Sequence, residues 1–134
     1  MDIKMNENGI KIPELDTPED VAKYAVKVLD EKKAKDIKLL HVYDHTVIAD
    51  YFVICSGNST TQVGSLADEV EYRLSQAGYP AAHIEGDGKC GWILLDFSSV
   101  IVHVFTPQAK EFYNLEKLYS EDAEVDISDI LTED

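Results

Sequence analysis

The sequence predicts an α/β (α+β) domain, a mixed sheet of about five strands flanked by helices. Three observations carry that expectation. Apolar β-prone runs recur over residues 51–55, 92–97 and 100–105, as in strands covered on both faces. Segments with a 3.6-residue apolar period stand between and around them. N-cap, proline and glycine signals mark the ends of those segments.

The stretch from Asp50 to Gly78 organises the rest. Tyr51-Phe52-Val53-Ile54-Cys55 is the strand, and Ser56-Gly57-Asn58 breaks it. Ser59 reads as a helix N-cap, with Gln62 at capping-box spacing. Val63, Leu66, Ala67, Val70, Leu74 and Ala77 then share one helical face. Gly78 stands where a left-handed C-terminal glycine belongs, and Pro80 follows it.

Upstream, residues 1–16 are expected to form a loose leader. Thr17 is an N-cap, Pro18 a first helical residue, and Glu19 and Asp20 suit the positive end of the dipole. Val21, Tyr24, Ala25, Val28 and Leu29 make the apolar stripe, and Lys32, Lys33 and Lys35 complement the other end. Residues 37–43 read as a strand and Asp44-His45-Thr46 as a loop. Downstream come a short strand over 82–85, a glycine-rich turn over 86–91, and two strands over 92–97 and 100–105 joined at Ser98-Ser99. Thr106-Pro107 opens a last helix, with Phe112, Leu115 and Leu118 on one stripe and Tyr113 and Tyr119 beside it. The folded domain is thus expected over 17–119. Residues 120–134 are expected to be a disordered acidic tail, although Val125, Ile127, Ile130 and Leu131 give it a weak apolar pattern suited to transient docking.

A chain of 134 residues is the size of one domain and can bury a core without disulfides or metals. No apolar run reaches membrane-spanning length, and no membrane partner is expected. The first residues lack the apolar core of a secretory signal. Two isolated cysteines, Cys55 in a strand and Cys90 in a turn, suit a reducing, cytoplasmic setting. The net charge is −14, half of it from seven acids without a base in residues 120–134. Such a chain is repelled by phosphate backbones, so direct nucleic-acid readout is not expected. A basic protein partner fits the same charge, and plain solubility explains it equally well.

The search for chemistry returns little. There is no Walker loop, no G-x-G-x-x-G and no C-x-x-C. His41 and His45 are four apart but on a strand and loop, so no metal site is read there. His83 and His103 are candidate strand neighbours. Cys55 reads as an inert buried thiol. The Gly57-Asn58-Ser59 turn has the form of a phosphate cradle. Nucleotidyltransferases pair such a turn with two carboxylates on the next strand, and here Glu85 and Asp87 have the spacing but straddle Gly86 at a turn. No catalytic residues, metal or cofactor are assigned. The two strands over 92–105 are apolar on both faces, with Trp92, Leu94 and Asp96 opposite in sense to Ile93, Leu95 and Phe97. That surface is either core or a Trp-centred interface.

The same residues carry a resemblance. Asp50–Gly57 with Ser59, Gln62 and Ala67–Glu71, then Glu85-Gly86, Gly91–Asp96 and Val100–Phe105, then Phe112–Leu118, resemble the ribosomal silencing factor family (RsfS, Iojap-related) from about Thr17 to Tyr119. The chain departs from the family pattern at Ser98-Ser99, where Gly-Asp is usual, at Tyr119, where Trp is usual, and at Pro107 or Gln108, where an acid is usual. The resemblance implies a non-catalytic protein with a nucleotidyltransferase-like fold lacking the catalytic carboxylates. It implies binding to the large ribosomal subunit through its interface protein uL-fourteen, occlusion of the small subunit, and a homodimer in the free state. By position, Trp92, Leu94, His103 and Phe105 would face the partner from a solvent-accessible patch, with Tyr113, Leu115 and Glu116 near them. The alternative is a nucleotidyltransferase-like nucleotide-binding protein or enzyme using the Gly57 turn.

Overall fold

A computed structural model of the chain describes residues 4–5, 9, 11–42, 49–118 and 123–131. Its elements run β1 (Lys4–Met5), β2 (Lys11–Ile12), α1 (Pro18–Glu31), β3 (Lys35–His41), β4 (Tyr51–Ser56), α2 (Thr60–Gln76), β5 (His83–Asp87), a 3₁₀ turn (Gly88–Cys90), β6 (Trp92–Asp96), β7 (Val100–Phe105), α3 (Pro107–Tyr113), a second 3₁₀ turn (Leu115–Leu118) and β8 (Glu124–Val125). β1 and β2 pair with each other. The other strands form one mixed sheet in the order β5-β6-β7-β4-β3-β8. Only β4 and β7 are parallel, joined by the α2 crossover and the β5-β6 hairpin. Among the described residues the sheet therefore has six strands, one more than the expected five or so.

The helix ends follow their cap chemistry. Thr17 accepts a hydrogen bond from the Asp20 N–H and Ser59 from the Gln62 N–H. At the C-terminus of α2, Gly78 takes a φ of 94°, and the Tyr79 N–H returns to the Leu74 carbonyl. At the end of α1 the same left-handed position is held by Lys33 at a φ of 64°. The two helices pack together through Arg73, which donates to the Tyr24 hydroxyl at 2.9 Å and to Glu31 at 3.2 Å.

α1 and α2 both cover one sheet face. Val21, Leu29, Leu66 and Leu74 meet Leu39, Val53, Cys55, Leu95, Val102 and Val104 in the larger core cluster. Strand alternation sends Leu40, Phe52, Ile54, Ile101 and Phe105 to the opposite face, where α3 supplies only Ala109 and the following turn Leu115. Among the described residues, one face is thus closed by two long helices and the other by one short one.

The expected loose leader holds the β1-β2 pair, β3 starts two residues early at Lys35, and three larger differences from the sequence reading follow. The tail is not simply disordered: β8 pairs with β3, Ala123 and Ile127 are buried, and Val125, Ile130 and Leu131 pack on the larger core. The weak apolar pattern in the tail is enough because it meets the unclosed edge of β3. The last helix stops at Tyr113, where Asn114 takes a left-handed φ of 46°. Asn tolerates that conformation because its side chain bonds locally. Phe112 and Leu115 are consequently not on one stripe: Phe112 is 81% exposed and Leu115 packs inward. Finally, Glu85-Gly86-Asp87 lies inside β5, and the turn begins at Gly88. Tyr43, the loop at Asp44-His45-Thr46 and Tyr119 lie outside the described residues.

The β6-β7 hairpin forms at Ser98-Ser99 despite its weak turn dipeptide, because Asp96 accepts from the Ser98 N–H at 2.7 Å. Ser98 is held at a φ of 74°, a conformation that costs a side chain about 1 kcal/mol. Ser98→Gly is expected to raise the unfolding free energy by up to about 1 kcal/mol, read as a higher denaturant midpoint at unchanged slope.

Candidate functional site: an aromatic face with an acidic border

β6 places Trp92, Leu94 and Asp96 on the α3 side of the sheet and Ile93 and Leu95 on the other. The antiparallel register sets Trp92 opposite Phe105, Leu94 opposite His103 and Asp96 opposite Ile101. Six of the seven residues singled out by resemblance therefore come together: Trp92, Leu94, His103 and Phe105 on the sheet, with Tyr113 and Leu115 over them. The side chain of Glu116 lies outside the described residues.

They do not share one environment. His103 and Phe105 are 4% and 1% exposed, which corrects the expectation of a four-residue accessible patch. β7 is central in the sheet, and its side chains are covered by Trp92 and by the chain that follows. Trp92 is the lid: its Nε1–H donates to His103 Nδ1 at 3.2 Å, and its ring stacks on Phe105 at 5.2 Å. Tyr113 lies on the outer side of Trp92, with ring centroids 4.6 Å apart, and Phe112 meets Tyr113 edge-on at 5.1 Å. The surface presented to solvent is made by Phe112 and Tyr113, with half-buried Trp92 and Leu94 behind them. Sequence reasoning passed over Phe112 because it assumed an unbroken last helix. The Asn114 position was the available signal.

Accepting from Trp92 fixes His103 as the neutral tautomer with its proton on Nε2. That Nε2–H is buried and has no hydrogen-bond partner among the described residues. Phe52 lies edge-on to the imidazole at 4.8 Å. Burial alone pushes the His103 pKa down from 6.5 to about 4, so the ring stays uncharged at neutral pH and packs as an aromatic.

The neighbouring edge strand adds charge. The β5-β6 register puts Glu85 opposite Leu94 and His83 opposite Asp96 on the aromatic face, while past Gly86, at a φ of 83°, Asp87 lies opposite Trp92 in register but lines the hollow beside α2. His83 is not a neighbour of His103, because β6 runs between them. Glu85 lies 3.0 Å from His83 Nε2, and Asp87 accepts from the Cys90 N–H at 3.0 Å. A cavity of about 220 Å³ opens between Glu85, Gly86, Cys90, Trp92, Leu94 and Tyr113. It is an apolar slot with a carboxylate at its rim.

The Gly57 turn is differently built. The Gly57 N–H donates to the Phe105 carbonyl, Asn58 N–H to Gln62 Oε1 and Gln62 N–H to Ser59 Oγ. Three donors that a phosphate would use are already engaged. Carboxylates Asp68, Glu69 and Asp87 line the hollow beside it. Among the described residues, no group of three or more His, Cys, Asp or Glu is placed to hold a metal ion. Cys55 is buried, its thiol pushed up to about 12 by burial, and both cysteines are free.

A half-exposed aromatic cluster bordered by carboxylates has the make-up of a protein-binding surface. The family described as ribosomal silencing factor during starvation matches residues 15–134, and the chain belongs to it. This is a non-catalytic family of translation regulators. The chain is 38% identical over 101 residues to ribosomal silencing factor RsfS of Bacillus subtilis, covering 75% of this chain and 86% of that one. It is 33% identical over 114 residues to RsfS of Halalkalibacterium halodurans, covering 85% and 97%. A crystal structure of a Chromobacterium violaceum protein superposes with a TM-score of 0.74 at 28% identity, covering 84% of this chain and 97% of that chain.

Proposed function

We propose that this protein silences translation by occlusion. It binds the large ribosomal subunit through the interface protein uL-fourteen and blocks association with the small subunit. The observation that carries the reading is the Trp92 face, where Phe112 and Tyr113 stand exposed over half-buried Trp92 and Leu94, bordered by Glu85 and Asp96. A ribosomal protein rich in Lys and Arg complements that border, and the aromatic cluster supplies the central anchor. His103 and Phe105 act from below, fixing the Trp92 ring rather than touching the partner. The protein acts in the cytoplasm, and its free form is a homodimer. Family membership supports the silencing role, and the charge of −14 supports a basic partner.

Phe112 and Tyr113 test the reading better than Trp92, because Trp92→Ala also strips His103 and Phe105 of their cover. The double variant Phe112→Ala/Tyr113→Ala is expected to keep the wild-type melting temperature and to lose about tenfold or more in affinity for purified large subunits, measured by pelleting. Unchanged pelleting of this variant would contradict the assignment of the face.

A further inference from the structure

We propose that β5 is a docking edge on which an extended, basic segment of the ribosomal partner adds to the sheet as a further strand. The inference rests on the ribosome-binding reading above and specifies how the partner is held.

The chain treats the two edges of its sheet differently. The β3 edge is covered by β8, and Lys38 bridges to Glu124 at 3.0 Å. β5 ends the sheet on the other side, and among the described residues no strand pairs with its outer edge. All five of its residues are exposed. An open edge offers a row of N–H and C=O groups to any extended chain, and proteins commonly blunt it with Lys, Pro or a covering segment. β5 contains neither Lys nor Pro.

The side chains of β5 select the occupant. On the aromatic face stands Glu85, at the rim of the 220 Å³ slot against Trp92, Leu94 and Tyr113. On the opposite face stands Ile84, 40% exposed. Alternate residues of an added strand meet these two faces in turn. The fitting segment therefore has Lys or Arg and one large apolar side chain on one face, and an aliphatic residue on the other. A second copy of this chain fits poorly, because an antiparallel β5-β5 pair centred on Glu85 sets that carboxylate against its own copy.

Amide hydrogen exchange on the full chain, alone and with purified uL-fourteen, tests the proposal. On binding, the outward-facing amides of β5, alternate along the strand, are expected to slow by about tenfold or more, while those bonded to β6 change little. Glu85→Lys is expected to weaken binding about tenfold with unchanged thermal stability, and Glu85→Gln less. Binding with unchanged β5 exchange would overturn the docking edge and leave the ribosome-binding reading intact. Absence of binding to uL-fourteen would overturn both. Slowing of β5 exchange with protein concentration alone would overturn the basic-segment occupant in favour of a second copy.

Discussion

Gly86→Ala is expected to lower the unfolding free energy by about 3 kcal/mol and to loosen the edge of the sheet next to Trp92. Two independent facts set that size. Gly86 has a φ of 83°, a region that strains any residue with a Cβ. A Cβ built there would lie 2.1 Å from the Trp92 carbonyl oxygen. The obstacle is backbone rather than a movable side-chain tip, so relief requires β5 and β6 to separate. The apolar slot, whose lining includes Gly86 and Trp92, would lose its shape. The measurement is denaturant unfolding followed by Trp92, the one tryptophan of the chain. Gly64→Ala is the matched control: it lies within α2 with nothing within 4 Å of its added Cβ. It should stabilise by up to about 1 kcal/mol through helix propensity. Equal effects of the two substitutions would contradict the structural role of Gly86.

The second large effect is a pH dependence set by His103. Burial holds its folded pKa at about 4 against 6.5 for a free imidazole. Above the higher value both folded and unfolded chains are neutral at this position, and the full stability is present. As pH falls below it, the unfolded chain takes up a proton that the folded one refuses, so stability is lost down to the folded value. The loss from this residue is about 2 kcal/mol between roughly pH 7.5 and 5. His103→Gln retains an acceptor for Trp92 Nε1 but does not titrate. Its unfolding free energy should fall less over that interval than that of the wild type. Parallel pH profiles for the two proteins would contradict a buried neutral His103.

Much of this was legible from local chemistry. The caps at Thr17, Ser59 and Thr106 and the glycine at Gly78 lie where their side-chain and backbone requirements predict. The uninterrupted apolar run of β4 announced its central place between β3 and β7. What eluded the sequence depends on contacts between distant segments. The periodicity of α1 and α2 shows that each has a buried side, but not that both bury it on the same sheet face. Val125 and Ile127 have too few apolar neighbours in sequence to predict a docked strand, and they gain them only from β3 and the core. The site was half legible: alternation along β6 and β7 grouped Trp92, Leu94, His103 and Phe105. Only the stacking of Trp92 and Tyr113 above β7 separates the exposed members from the buried ones.

The most direct test of occlusion is a subunit-joining measurement. Large subunits are preloaded with the protein, small subunits are added, and joined particles are followed by light scattering and resolved by sedimentation. Occlusion predicts fewer joined ribosomes in proportion to loading, protein only on free large subunits, and no inhibition by Phe112→Ala/Tyr113→Ala. Joined ribosomes forming at the normal level while still carrying the protein would contradict it.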